Sequence, residues 1–259
     1  MGSTDLSDLK DRSERIRLGR KVRAYFVHLF TASGVAFAFL AMREVVRVDL
    51  DPRWVFGWLT LAVFIDAADG PLARLWDVKL YASRILGKTI DLIVDYLTFT
   101  FIPLTLVWRM DWLPGWDGLW VTLAMVASLL GFANTAAKQS QEGFFLGFPS
   151  YWNVVAYYVG LLAVEYGAVG AYVSLGSVLT LTVLTLVPVR FVYPNAAPTP
   201  WRAIVTVGGV AWLGLLLALL PTFPELPAWG GDWVLGVSFV YPVFYFGLSG
   251  WLDWTSRQS

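Results

Sequence analysis

The chain has no cysteine, a single histidine (His28) and only 15% charged residues in a length of 259. Without cysteine there are no disulfides and no thiolate metal sites. One histidine leaves no room for a multi-histidine zinc site either. Lys plus Arg and Asp plus Glu number 19 each, so the formal net charge is zero. There is no bulk positive charge to attract phosphate backbones, and no zinc-knuckle, helix-turn-helix or RNA-binding signature, so no nucleic-acid partner is expected. A cleavable secretory leader is not expected, because residues 1–23 mix Asp5, Asp8, Asp11 and Glu14 with seven basic residues. What is abundant is apolar. The hydrophobic share is 57%, with 14 Trp and 17 Phe, against roughly 45–50% apolar and about 25% charged in soluble domains.

Crossing a bilayer takes about 20 apolar residues at ~1.5 Å of helix each. Eight runs qualify, near 24–43, 54–73, 87–108, 118–137, 150–167, 169–189, 202–221 and 232–251. Most connectors carry Pro, Gly or paired charges, such as DPRW at 51–54 and PTFPELPAWGGD at 221–232. Between the fifth and sixth runs only Glu165 to Gly170 remain, which demands a very tight turn. The expected fold is all-α, a polytopic membrane bundle of about eight transmembrane helices. With the N-terminus in the cytoplasm, fifteen Lys and Arg fall on that side; only Arg43, Arg47, Arg53 and Arg109 fall opposite. The positive-inside bias therefore puts both termini in the cytoplasm. Residues 1–23 read as a cytoplasmic or interfacial segment and 24–259 as the transmembrane domain. The basic residues of that segment set topology or attract anionic lipid. No internal repeat or matched pair of interrupted spans is visible, as an inverted-repeat transporter would show.

One stretch stands apart, FIDAADGPLARLWDVKLYASRILGKTIDLIVDY from Phe64 to Tyr96. Asp66, Asp69, Gly70 and Ala73 fall at i, i+3, i+4 and i+7, on one helical face, and Gly87, Asp91 and Asp95 follow at intervals of four. Two neighbouring antiparallel helices would thus present two carboxylates each to a shared space. Intramembrane carboxylates cost at least about 2.5–3.5 kcal/mol apiece on insertion scales. Protonation, pairing with Arg74 or Lys88, or a bound cation would make them tolerable, and all-oxygen ligands suit Mg²⁺ or Mn²⁺. Gly70, Ala73 and Gly87 leave the helix faces bare, either for close helix packing or for the approach of a bulky planar group or a diphosphate.

The string D-x-x-D-G-x-x-A-R followed by G-x-x-x-D-x-x-x-D is filled at every fixed position by Asp66, Asp69, Gly70, Ala73, Arg74, Gly87, Asp91 and Asp95. In this the chain resembles the CDP-alcohol phosphatidyltransferase family. The resemblance covers about 30 residues, and it departs from the usual pattern in one respect. Twelve residues separate Arg74 from Gly87, where most of the family has about eight. That longer turn, the eight spans and GFPSYWN at 147–153 are similar to the branch of bacterial phosphatidylcholine synthases.

The resemblance implies transfer of a phosphatidyl group from CDP-diacylglycerol to an alcohol with release of CMP, in the bacterial inner membrane with the site facing the cytoplasm. It implies Mg²⁺ or Mn²⁺, as two ions, on Asp66, Asp69, Asp91 and Asp95, with Asp95 also the general base. Asp69, Gly70, Ala73, Arg74, Gly87 and Lys88 would meet the nucleotide and diphosphate, and a homodimer is implied. For choline, whose trimethylammonium calls for aromatic faces, the candidates are Tyr151, Trp152, Asn153 and Tyr193, although an interfacial aromatic belt explains them without any substrate and is the stronger reading. His28 reads as a neutral packed histidine near the depth of the site. Arg190 either binds phosphate or anchors a span end, and Lys138 and Glu142 belong to a solvated loop. Serine, inositol phosphate or glycerol 3-phosphate are the alternative acceptors. A cation transporter using the aspartates is the alternative from another class.

Overall fold

No proline occurs before Pro52, and nothing stops the N-terminal charged segment from running on into the first apolar stretch. In the computed structural model, which describes residues 3–134, 138–139, 143–194 and 197–256, helix α1 (Ser3–Ala32) passes through both without a break. Glu142 and Arg257, with the side chain of Lys138, lie outside the described residues. Ser33 turns the chain, its hydroxyl donating to Phe30 O at 2.6 Å, and α2 (Gly34–Val45) completes the first crossing. Helix α3 (Pro52–Leu75) starts where its sequence says it should. Asp51 accepts from the Arg53 backbone N–H at 3.0 Å, and Pro52 occupies the first turn, where a missing N–H costs nothing.

The second acidic half-site lies on a segmented span. It runs as α5 (Gly87–Asp95), a π-helical stretch (Tyr96–Phe101) and α6 (Ile102–Arg109), with the one-turn α4 (Val78–Tyr81) in the connector before it. Sequence reading expected one continuous helix here. Pro103 has no N–H to continue the ladder and its ring crowds the preceding turn, so the helix widens just upstream.

Helix α7 (Asp117–Ala133) follows, then strands β1 (Lys138–Gln139) and β2 (Phe144–Leu146). The helical stretch α8 (Trp152–Leu186) is not one rod, because Gly167 breaks it at φ 53°, ψ −131°, a region closed to L side chains. Phe148 N–H donates to Leu184 O at 2.9 Å, and Gly170 lies tight against the Leu162 carbonyl. Residues 148 and 184, like 162 and 170, are symmetric about 166. The stretch is therefore an antiparallel hairpin, with arms of roughly 22 and 28 Å at ~1.5 Å per residue. The tight turn expected between the fifth and sixth runs is this one glycine. Strand β3 (Arg190–Val192), α9 (Trp201–Leu219), α10 (Gly231–Ser238) and α11 (Val240–Ser256) complete the chain.

Among the described residues, six helical stretches are long and apolar enough to cross a membrane, α7 is a shorter seventh, and dividing α8 gives the expected eight passes. This is an all-α polytopic membrane bundle. Its outward side chains include Val210 and Val243, both 69% exposed, as befits a surface whose solvent is lipid. Several hydroxyls inside the spans are satisfied locally, Thr98 donating to Val94 O and Thr182 to Val178 O. Others tie helices together: Tyr157 to Leu216 O, and Tyr158 to Ser238.

The one departure from the expected class is a small antiparallel sheet in order β1-β2-β3, with Phe145 opposite Phe191. Its free side is closed by α11, where Tyr245, Ser249 and Asp253 stand at intervals of four. Tyr245 donates to Val192 O, Ser249 Oγ accepts from Val192 N–H, and Asp253 accepts from Arg190 N–H. These side chains replace the strand that the edge lacks.

Candidate metal centre and acceptor pocket

Asp66 projects from the middle of α3, while Asp91 and Asp95 project one turn apart from α5. Folding brings one carboxylate oxygen from each within 4.8 Å of the others, and all three residues are half-buried. Around an octahedral ion with bonds of ~2.0–2.1 Å, adjacent ligands stand about 3 Å apart and opposite ones about 4 Å. Oxygens that already converge to within 4.8 Å can close on a common ion by small side-chain rotations, and an all-carboxylate donor set is of the kind that suits Mg²⁺ or Mn²⁺. Asp69 is not in this group. It sits one turn nearer the connector and is buried, at 9% exposed.

The small residues divide in two. At Gly70 the nearest atom to an added Cβ is Arg74 Nη1, at 3.6 Å, so the guanidinium lies back along its own helix over Gly70. At Gly87 the space is taken instead by His28, whose Cε1 and Nδ1 would stand 2.9 and 3.1 Å from an added Cβ. Lys88 and Arg74 are both exposed at the mouth of this region.

The four acceptor candidates also divide. The Tyr151 hydroxyl lies within electrostatic reach of Asp66, Asp95 and Tyr193, and Tyr193 meets Phe145 edge-on at 4.6 Å between centroids. Ser150, immediately before Tyr151, holds a φ of 56°, uncommon outside glycine, and so sets the angle at which Tyr151 leaves the chain. Trp152 points elsewhere. It is fully buried, and its indole N–H donates to Ser128 Oγ at 2.6 Å. Asn153 lines a cavity of about 60 Å³ with Phe56, Leu59 and Leu216.

Sequence reading passed over Tyr241 and Tyr245, which bring two more rings towards Tyr151. Their hydroxyls are committed to backbone, Tyr241 to Val205 O and Tyr245 to Val192 O. Nothing in one sequence distinguishes them from the many other interfacial tyrosines. The β2–β3 pairing was foreshadowed only by Gly143 and Gly147. Gly147 needs its φ of 82° and lies tight against the Thr185 carbonyl, where any side chain would collide.

No family model matches the chain. Curated proteins do. Phosphatidylcholine synthase of Pseudomonas aeruginosa is 36% identical over 234 residues, 89% of this chain and 92% of that protein. That of Bradyrhizobium diazoefficiens is 36% identical over 215 residues, covering 80% and 76%. That of Mesorhizobium japonicum is 35% identical over 192 residues, covering 73% and 68%. The match to the first of these spans nearly the whole of both chains, well beyond the acidic segment. The chain belongs to the phosphatidylcholine synthase family.

Proposed function

We propose that this protein is a phosphatidyltransferase that makes phosphatidylcholine from CDP-diacylglycerol and choline, releasing CMP, at the cytoplasmic face of a bacterial inner membrane. The observation that carries the reading is the convergence of Asp66, Asp91 and Asp95, in a chain related over most of its length to phosphatidylcholine synthases.

The choline hydroxyl oxygen attacks the phosphorus that carries the diacylglycerol. The bond from that phosphorus to the CMP phosphate breaks, and its electron pair leaves with CMP. Asp95 takes the hydroxyl proton as the new P–O bond forms. Asp66, Asp91 and Asp95 would hold a divalent ion, with Asp69 joining them on a second. Such an ion supplies Lewis-acid polarisation of phosphoryl oxygens and neutralises charge on the departing CMP. Arg74, lying over Gly70, binds the diphosphate as a planar fork of donors. Gly70 and Ala73 leave room for the cytidine, and Lys88 adds positive charge at the mouth. Tyr151 and Tyr193 offer ring faces to the trimethylammonium, with Asp66 near enough to add field. The protein acts as a homodimer, as the family resemblance implies.

The test is CMP release by the purified protein from CDP-diacylglycerol, with Mn²⁺ or Mg²⁺, against a panel of choline, serine, inositol phosphate and glycerol 3-phosphate. Turnover with choline alone is expected. Turnover with serine and none with choline would overturn the acceptor and leave the phosphatidyl transfer standing.

A further inference from the structure

The twelve-residue connector between Arg74 and Gly87 has to set the distance between the two acidic half-sites, yet it is too long to do so by its own stiffness. Helix α1 holds it at four points. Phe26 packs on Trp76 at 6.3 Å between centroids. Arg20 donates to the Tyr81 hydroxyl at 2.8 Å, with its guanidinium 5.8 Å from the ring centre. Ala24 and Val27 form a buried cluster with Val78 and Ala82. His28, 5% exposed, bonds through Nε2 to Ala82 O at 3.2 Å. Helix α1 also packs against both α3 and α5, which carry the aspartates.

A carbonyl oxygen only accepts, so Nε2 of His28 carries the hydrogen. The other edge of the ring, with Cε1 and Nδ1, rests against the Cα of Gly87, the first residue of α5. One imidazole thus touches the end of the connector and the start of the second half-site together. Asp91 and Asp95 follow Gly87 at one and two helical turns. A shift at Gly87 is therefore carried along a rigid helix to both carboxylates.

We propose that His28 is a positioning residue that seats α5 against α1, and that Gly87 is small to admit the His28 ring and not only to clear room for a nucleotide. This rests on the transferase reading for its activity assay, but not for its metal-binding measurement. Leucine cannot donate to Ala82 O, whereas the side-chain amide of glutamine reaches about as far as Nε2.

His28→Leu is expected to lower kcat about tenfold to a hundredfold, the scale of loss when reacting groups are displaced by about 1 Å. The KM values for both substrates should change less than twofold, and His28→Gln should keep most of the activity. Binding of Mn²⁺ alone, followed by electron paramagnetic resonance, should weaken in His28→Leu and not in His28→Gln, at an unchanged unfolding temperature in detergent. Gly87→Ala should be severe in the native background and add little on top of His28→Ala, because the clash is with the ring. Equal cost of Gly87→Ala in both backgrounds, or a His28→Gln variant as impaired as His28→Leu, would overturn the proposal. If the native protein failed to use choline at all, the functional reading would fall, and the Mn²⁺ comparison would still decide the role of His28.

Discussion

At one end of the bundle, every acidic side chain described in the turn between α2 and α3 is matched by an arginine close by in sequence. Buried Glu44 meets Arg43 at 3.0 Å and Arg47 at 3.3 Å, Asp49 meets Arg47 at 2.7 Å, and Asp51 meets Arg53 at 2.6 Å. At the other end, Asp66 is drawn to Asp91 and Asp95, which stand 25 and 29 residues further on. The first arrangement assembles from neighbours and lowers its own energy. In the second, each ionised pair of carboxylates repels by about 3–4 kcal/mol at an effective dielectric of about 20, which the surroundings must offset. Opposite charges gathered locally serve the architecture. Like charges gathered from afar are what the proposed cation and its substrate would require.

Substitutions at the two ends should separate activity from stability in opposite ways. Asp66→Asn, Asp91→Asn or Asp95→Asn should cut CMP release by a factor on the order of 10³ or more, since electrostatic groups at a reacting centre act on that scale. Melting in detergent should stay the same or rise as like-charge repulsion is relieved. A variant that melted early with its turnover intact would erase the distinction. Millimolar Mn²⁺ should raise the unfolding temperature of the native protein, by about 2.7 kcal/mol of stability at a hundred times Kd. The same addition should do nothing for Asp91→Asn.

Glu44→Ala should do the reverse. It takes away the acceptor that Arg43 and Arg47 share, but both are about half exposed and Arg47 keeps Asp49, so the cost stays well below that of breaking a fully buried pair. Turnover per folded molecule should be unchanged, and a loss of kcat would join the two ends into one functional unit. The smallest effect is expected at Asp51, where the helix cap and Arg53 are both at stake. Asp51→Ala should cost about 1 kcal/mol. Arg53 holds the Asp51 carboxyl below its ordinary 3.8. Its contribution is therefore complete above that value and disappears as pH falls through the lowered one. Denaturation curves of native and Asp51→Asn protein should converge only in that acid range.

The sequence was legible where a local rule governed the outcome. Residue spacing alone put Asp66 with Asp69 on one face, and Asp91 with Asp95 on another. The connector at Asp51 and Pro52 was marked by its residues, and a very tight turn was expected between Glu165 and Gly170, although that boundary was the least distinct of all. What escaped were pairings over long separations. The contact of His28 with Gly87 spans 59 residues, and no periodicity reports it. The span carrying Asp95 was read as continuous because Pro103 looked like a helix residue with a local fault; the π-helical turn upstream is the price of keeping it. Trp152 and Tyr151 were indistinguishable as neighbours in a string, and only packing sends one to Ser128 and the other towards the aspartates.

The glycine that folds α8 back on itself also counts passes. Were residues 152–186 a single rod, the chain would cross once where it now crosses twice, and everything downstream would emerge on the wrong side. Strand β3 could then never reach β2, and Arg190 and Arg202 would have to be carried through the lipid against the charge bias that orients the protein. The backbone turn at Gly167 thus sets the parity of the passes, and with it the side on which β3 and all that follows must lie.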